Sequence, residues 1–418
     1  MSRFPKGFML GTATAAHQVE GNNIHSDSWA LEQLPNSIYL EPSLDAVDHY
    51  NRYEEDIKMM AKAGMNAYRF TIEWARIEPE KGMWVEEEVD HYRRVLQCCH
   101  DNSIIPMVCF HHFSSPKWLI SMGGWEEPQT AVWFAEFCER AVKELGDLLV
   151  YVNTINEANM GLQFGKLIQD RARRVVSDVQ VGVNEKAANK YMSYMMEAGE
   201  ALGVGDKGLN IFHSPRTPIG DGIIIQAHVL ARDAIKKIRP DLKVGISLSL
   251  HDMQPLEGGD QFAKIEWIEE FTHYLPYIEH DDFLGVQSYT RKLFGPEGVL
   301  QPADDAKRTQ MGYEDYPMAV VNCARKAAED FKGDIIITES GIGTDDDERR
   351  IEFIREALDG VEEMINDGIP VKGYLYWSLM DNFEWMVAYT RTFGLVAVDR
   401  ATQQRHPKPS FAFLASQR

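Results

Sequence analysis

Two glutamates carry the chemistry that this chain could perform. Glu157 closes the apolar run Leu148-Leu149-Val150-Tyr151-Val152-Asn153-Thr154-Ile155-Asn156, and Glu339 closes Asp334-Ile335-Ile336-Ile337-Thr338. A carboxylate is costly to bury without partners, so one at the exit of each of two core strands calls for a reason. Two opposed carboxylates can break an acetal such as a glycosidic bond without a cofactor. One attacks the anomeric carbon while the other, protonated, gives its proton to the leaving oxygen. Retention of configuration asks that they stand about 5–5.5 Å apart. The acid must keep its proton, which calls for a pKa raised from about 4.3 towards 6 by an apolar setting and a neighbouring negative charge. Taken alone, Asn156-Glu157 reads equally as a turn with a surface carboxylate, and Glu339 before Ser340-Gly341 is no stronger.

Other residues complete a possible site. Asn156 would face a sugar and hold its 2-hydroxyl. Arg69 interrupts the strand-like Ala67-Tyr68-Arg69-Phe70, where a guanidinium beside Glu339 would keep that group ionised; a structural ion pair elsewhere is the other reading. Tyr289 could donate to the same carboxylate or simply fill core. Gln18, Glu20, His111, His112 and Glu384, the last between Trp377 and Trp385, make a polar and aromatic set suited to a hexose. His111 and His112 could instead bind metal, but neighbours on a strand point to opposite faces, so no metal and no cofactor is expected.

These residues need strand ends around one mouth. Strand-like runs recur at 8–14, 67–72, 104–110, 148–156, 243–250, 283–289, 334–339 and 371–378. Eight such runs predict an α/β fold, a closed (β/α)8 TIM barrel whose strand exits form the floor of the site. Amphipathic stretches lie between them, at 50–63, 132–145 and 223–238, the last stopped by Arg239-Pro240. The longest interval separates the fourth run from the fifth and holds helical segments near 183–204 and 223–238. Residues 1–418 therefore read as a single catalytic domain with a larger excursion at about 158–240. The acidic cluster Asp345-Asp346-Asp347-Glu348 reads as a solvated loop leading into a helix.

Composition narrows the partners. The chain has 43 basic and 64 acidic residues, a net charge of −21, which disfavours nucleic acid and anionic membranes and suits a small neutral substrate. Five cysteines without metal spacing fit a reduced, cytoplasmic setting. Ala13-Thr14-Ala15 imitates a signal-cleavage site, but its surroundings read better as a first strand, and no segment is apolar enough to cross a bilayer.

The ordered motifs resemble the family-1 glycoside hydrolases, the retaining β-glucosidase and β-glycosidase group. They run from Phe8-Met9-Leu10-Gly11-Thr12-Ala13-Thr14-Ala15-Ala16-His17-Gln18-Val19-Glu20-Gly21 through Tyr68-Arg69-Phe70-Thr71-Ile72-Glu73-Trp74 and His111-His112-Phe113. Thr154-Ile155-Asn156-Glu157, Ile337-Thr338-Glu339-Ser340-Gly341 and Trp377-Ser378-Leu379-Met380-Asp381-Asn382-Phe383-Glu384-Trp385 follow. The resemblance implies Glu157 as acid/base and Glu339 as nucleophile, with Arg69 and Tyr289 as its partners. It implies that Gln18, His112, Asn156, Trp377, Glu384 and Trp385 bind the non-reducing sugar, and that Trp377-Ser378 is a cis peptide. An acidic Glu384, where phosphosugar-specific relatives usually have serine, is expected to repel phosphate.

Three departures stand out. Ala158 replaces the usual proline after the acid/base, which predicts a less rigidly aimed Glu157. Gln287-Ser288-Tyr289 replaces Asn-Tyr-Tyr, and Phe113 stands where tryptophan is common. A β-glucosidase with some range towards galactosides or fucosides is the expectation; a transglycosylating enzyme and a non-catalytic sugar-binding barrel are the alternatives. Exposed apolar residues within 158–240 and 291–315 would serve either the aglycone or a homo-oligomeric interface.

Overall fold

The computed structural model describes residues 3–166 and 185–418, and side chains of the helix that begins at Glu185 are described from Tyr191 onward. Eight parallel strands close a barrel: β1 Met9–Ala13, β2 Ala67–Thr71, β3 Ile105–His111, β4 Tyr151–Ile155, β5 Lys243–Ser249, β6 Phe283–Gln287, β7 Asp334–Ser340 and β8 Val371–Trp377. Each strand pairs with its sequence neighbours, and β1 closes the ring against β8 with Met9 opposite Gly373 and Ala13 opposite Trp377. Every one of the eight expected runs is a barrel strand. Strands covered on both faces should be apolar almost continuously, and Ile335-Ile336-Ile337 of β7 is fully buried. In β1 only glycine fits at position 11, because a Cβ there would lie 1.8 Å from the carbonyl oxygen of Ala67.

The helices begin and end where local chemistry allows. His49–Ala63 stops at Gly64, whose φ of +112° suits glycine and whose N–H returns to Met60 and Ala61. Pro218–Ile238 starts from Thr217, whose hydroxyl accepts from the N–H groups of Ile219 and Gly220, with Pro218 in the first turn. Asp346 caps Asp347–Asn366 in the same way, so the acidic cluster is a helix start. The excursion after β4 carries Glu185–Ala201 and Pro218–Ile238. The first two residues of the helical segment expected at 183–204 lie outside the described residues. Gln129–Leu145 packs along Pro218–Ile238. The stretch 291–315, read from sequence as loop, contains Arg291–Gly295 and Gly298–Leu300, which join Asp252–Pro255 in a three-stranded sheet.

Apolar packing falls into two clusters. The larger lies between the strands and the helices, with Ile335, Ile337, Leu284, Val286, Phe134 and Ile224 among its members. The smaller plugs the barrel interior with Met9, Ala67, Met107, Phe283, Ile336 and Leu375. Each fully buried aliphatic side chain contributes about 1.5–3 kcal/mol. This plug is the floor on which the polar side chains at the strand exits rest. No described helix is long and apolar enough to cross a membrane.

Candidate active site

At the exits of β2, β4, β6 and β7 the structure joins Arg69, Asn156, Gln287, Tyr289 and Glu339 into one buried network. Arg69 is fully buried, and its Nη1 donates to Glu339 Oε1 at 2.7 Å while its Nη2 donates to Asn156 Oδ1. Tyr289 donates its hydroxyl to Glu339 Oε2 at 2.7 Å. Gln287 Nε2 lies 3.1 Å from Glu339 Oε1 and 2.7 Å from Asn156 Oδ1. Burial raises the Glu339 carboxyl above its ordinary value, and Arg69, Tyr289 and Gln287 draw it back down. A β-bulge helps to aim it. Ile336 belongs to the barrel plug, so strict alternation would carry Thr338 inward and Glu339 outward; the pairing of β7 with β6 slips between Ile337 and Glu339, and Glu339 turns in with the rest.

Glu157 follows β4 in the left-handed region, with φ +44°. Its N–H meets Ser247 Oγ at 3.3 Å, and the N–H of Ala158 donates to the carbonyl of Ser247 at 3.1 Å. Asn159 then exchanges two hydrogen bonds with the backbone of Ser249, at 2.9 Å and 2.6 Å. Alanine supplies an N–H that proline lacks, and β5 bonds the turn on three successive residues. Burial pushes Glu157 up to about 8, with the charge of Glu339 acting in the same direction, further than the sequence argument required. Burial raises both carboxyls, but only Glu339 has Arg69, Tyr289 and Gln287 bonded to it to oppose the rise.

The residues expected to bind the sugar are linked to this pair through Asn156. Asn156 Oδ1 accepts from Arg69, Gln287 and Ser247, which leaves its amide nitrogen towards His112 Nε2 at 3.1 Å. That nitrogen of His112 must accept, so the ring is neutral with its proton on Nδ1, in keeping with burial and Arg69, which push its pKa well below the usual range. Trp377 stacks on His112 with centroids 5.6 Å apart and donates its indole N–H to Glu384 Oε1 at 3.2 Å. The peptide between Trp377 and Ser378 is cis. Trp385 stacks on His17 at 5.5 Å and tilts against Phe113 at 5.4 Å. Gln18 Nε2 is held by Asn382 and Phe383, and its Oε1 has no partner among the described residues.

One expectation needs correction, and two neighbouring groups complete the picture. Glu20 is outside this set: it pairs with Arg76 at 2.8 Å and accepts from Tyr92, as part of a separate buried cluster. His111 turns the other way from His112, bonding Ser115 Oγ and meeting Trp125 edge-on. Burial pushes Glu384 up to about 8, which weakens the charge by which it was expected to repel phosphate, and the indole N–H of Trp377 acts against that rise. Sequence reasoning missed Ser247 and Ser249. The signal was present in the period-two series Gly245, Ser247, Ser249, small or polar on one face of an otherwise aliphatic strand. It also missed the aromatic wall of Phe212 and His213, in which His213 lies 4.3 Å from Phe113 and 5.6 Å from Trp385. Arg216, bonded to the carbonyls of Ala158 and Phe212, ties that wall to the residue after Glu157.

Comparison with known proteins agrees with this geometry. The model of glycosyl hydrolase family 1 matches residues 1–180 and 295–417. The solved structure of β-glycosidase BGL167 superposes with a TM-score of 0.90 at 41% identity, covering 99% of this chain and 96% of that one. A β-glucosidase from an Agrobacterium species is 30% identical across 98% of this chain and 94% of its own length. β-Glucosidase A of Thermotoga maritima is 27% identical across 98% of this chain and 96% of its own.

Proposed function

The chain belongs to glycosyl hydrolase family 1 and is a β-glycosidase, and from that premise we propose that it removes terminal β-D-glucosyl residues by double displacement, with Glu339 as nucleophile and Glu157 as acid/base. The observation that carries this reading is the unequal setting of two carboxyls that share a single buried site: burial raises both, and Glu339 alone has Arg69, Tyr289 and Gln287 bonded to it to oppose that rise. Glu339, ionised by its donors, attacks C1 from the face opposite the leaving group. Glu157 passes its proton to the glycosidic oxygen, the aglycone leaves as an alcohol, and an α-linked ester to Glu339 remains. The ester carries no charge, so the part of the Glu157 shift that came from the Glu339 carboxylate is gone as Glu157 becomes a base. It then takes a proton from water, whose oxygen attacks C1, breaks the ester and yields the β-anomer.

Asn156, fixed through Oδ1, has an amide hydrogen to offer the 2-hydroxyl, where hydrogen bonding strengthens in the transition state. His112 Nδ1–H, Gln18 Oε1 and Glu384 supply further polar groups for an uncharged hexose, and Trp377 and Trp385 supply ring faces. The net charge of −21 favours such a substrate over an anionic one. The test is NMR of the first product released from an aryl β-glucoside, with rates compared across β-glucoside, β-galactoside, β-fucoside and short β-glucans. The β-anomer should appear before mutarotation and the glucoside should lead. Initial α-anomer would overturn the mechanism, and a leading galactoside or fucoside would overturn the sugar assignment.

A further inference from the structure

The side chain at position 287 is where this chain departs from the usual asparagine, and its geometry gives the departure a purpose. Gln287 ends β6 and is fully buried. Its Nε2 lies 2.7 Å from Asn156 Oδ1, 3.1 Å from Glu339 Oε1, and 3.2 Å from both Ser247 Oγ and Thr338 Oγ1. Two hydrogens cannot serve four acceptors. The shortest contact takes one, and the ionised carboxylate, as the strongest acceptor, takes the other. Arg69 bridges the same two oxygens, Glu339 Oε1 with Nη1 and Asn156 Oδ1 with Nη2. Two donors and two acceptors thus close a ring: Arg69, Glu339, Gln287, Asn156 and back to Arg69.

We propose that Gln287 is a positioning residue that locks the aim of the nucleophile Glu339 to the orientation of the amide Asn156, so that capture of the sugar's 2-hydroxyl and approach to C1 are mechanically coupled. The inference rests on the roles proposed above for Glu339 and Asn156. The ring has two physical consequences. It forbids rotation of the Asn156 amide, because an inverted Asn156 would set its NH2 against the N–H groups of both Arg69 and Gln287. It also gives Glu339 Oε1 two donors, so tilting that carboxylate breaks contacts that Asn156 shares. The extra methylene of glutamine carries the amide farther from the end of β6 than an asparagine would, and the glutamine amide meets both partners.

The experiment compares wild type with Gln287→Met and Gln287→Asn on an aryl β-glucoside and its 2-deoxy counterpart, following kcat/KM against pH, with circular dichroism to confirm folding. Gln287→Met keeps the length and removes both hydrogens. Its kcat/KM on the glucoside should fall roughly tenfold more than on the 2-deoxy substrate, a coupling of the size seen between groups of one network. The acid limb of the profile should move to higher pH as Glu339 loses a donor. Gln287→Asn should lie between the two. Equal losses on both substrates with an unmoved acid limb would reduce Gln287 to a structural role and overturn the proposal; so would full activity of a folded Gln287→Met. If Gln287→Met does not fold, Gln287→Asn decides alone, by whether its losses on the two substrates differ. Mass-spectrometric mapping of wild type labelled with a 2-deoxy-2-fluoro-β-glucoside tests the premise separately: label on a residue other than Glu339 sinks the functional reading whatever the variants do.

Discussion

The end of β4 and the end of β7 present the same side chain to the same cavity and prepare it for opposite tasks. At β7 the backbone bulges, and Glu339 meets Arg69, Gln287 and Tyr289 with both of its oxygens. At β4 the backbone turns left-handed, and most of the hydrogen bonds that hold Glu157 fall on peptide groups, from Ser247 beneath it and from Asn159 to Ser249 beyond, with Ser249 alone bonding its carboxyl. One carboxyl is gripped by its charged end. The other is gripped by its main chain, and burial together with the charge of Glu339 keeps it protonated. Identical chemistry in the sequence thus becomes two functions through the donors that surround each group, and backbone irregularity accompanies both.

The comparison can be broken most severely at β7. Glu339→Ala should lower turnover by roughly 10⁴–10⁶-fold, as loss of a nucleophile does elsewhere, and azide or formate should restore reaction of an activated β-aryl glycoside. A variant that stays active without such an anion would deny Glu339 its role. Next in size, Glu157→Ala should cost about 10²–10⁴-fold with a poor leaving group and far less with an activated phenol, because only the former needs the proton. Equal losses across a leaving-group series would show that Glu157 is not the acid.

Finer measurements sharpen the contrast. In wild type the basic limb of kcat/KM should report loss of the Glu157 proton near pH 8. In Glu339→Gln, ¹³C-labelled Glu157 should titrate lower, since a neighbouring negative charge has been removed; an unchanged midpoint would mean that the two groups do not sense each other. The smallest effect concerns stability. Glu157 binds its proton more tightly folded than unfolded, where its value is about 4.3, so this stabilisation is complete below that pH and is lost as pH rises towards about 8. Glu157→Gln should therefore flatten the fall in denaturation midpoint between pH 5 and 8, by at most about 1.4 kcal/mol per pH unit.

Much of this was legible before any coordinates, for a physical reason. Parallel barrel strands are buried on both faces, so their residues cannot hide among polar alternation, and all eight stood out. Charged or amide residues at the ends of such runs, Arg69, Asn156, Glu157 and Glu339, were conspicuous because burial makes them costly. What was not legible depends on direction. Gln18 and Glu20 lie two residues apart in one short segment, yet one points to the sugar-binding set and the other to Arg76 and Tyr92. The segment from Ala16 to Val19 is a helical turn, where strand periodicity no longer predicts facing. Ser247 drew no notice singly, because one serine in a strand carries little burial cost, and only its period-two series with Gly245 and Ser249 sets that face apart. His213 and Phe212 sit in a loop of the long excursion, where no period exists to place a ring.

The apolar plug inside the barrel has a consequence for how such a catalyst could be altered. Met9, Ala67, Met107, Phe283 and Ile336 stop the tube below the mouth, and the reactive groups stand two or three positions beyond them, as Arg69 does beyond Ala67 and Glu339 beyond Ile336. Foundation and tool are therefore separate parts of each strand. A library that randomises Phe113 and His213 can search for new acceptors while leaving the stopper untouched, whereas one that reaches down to Met107 or Phe283 will spend its members on collapsed barrels.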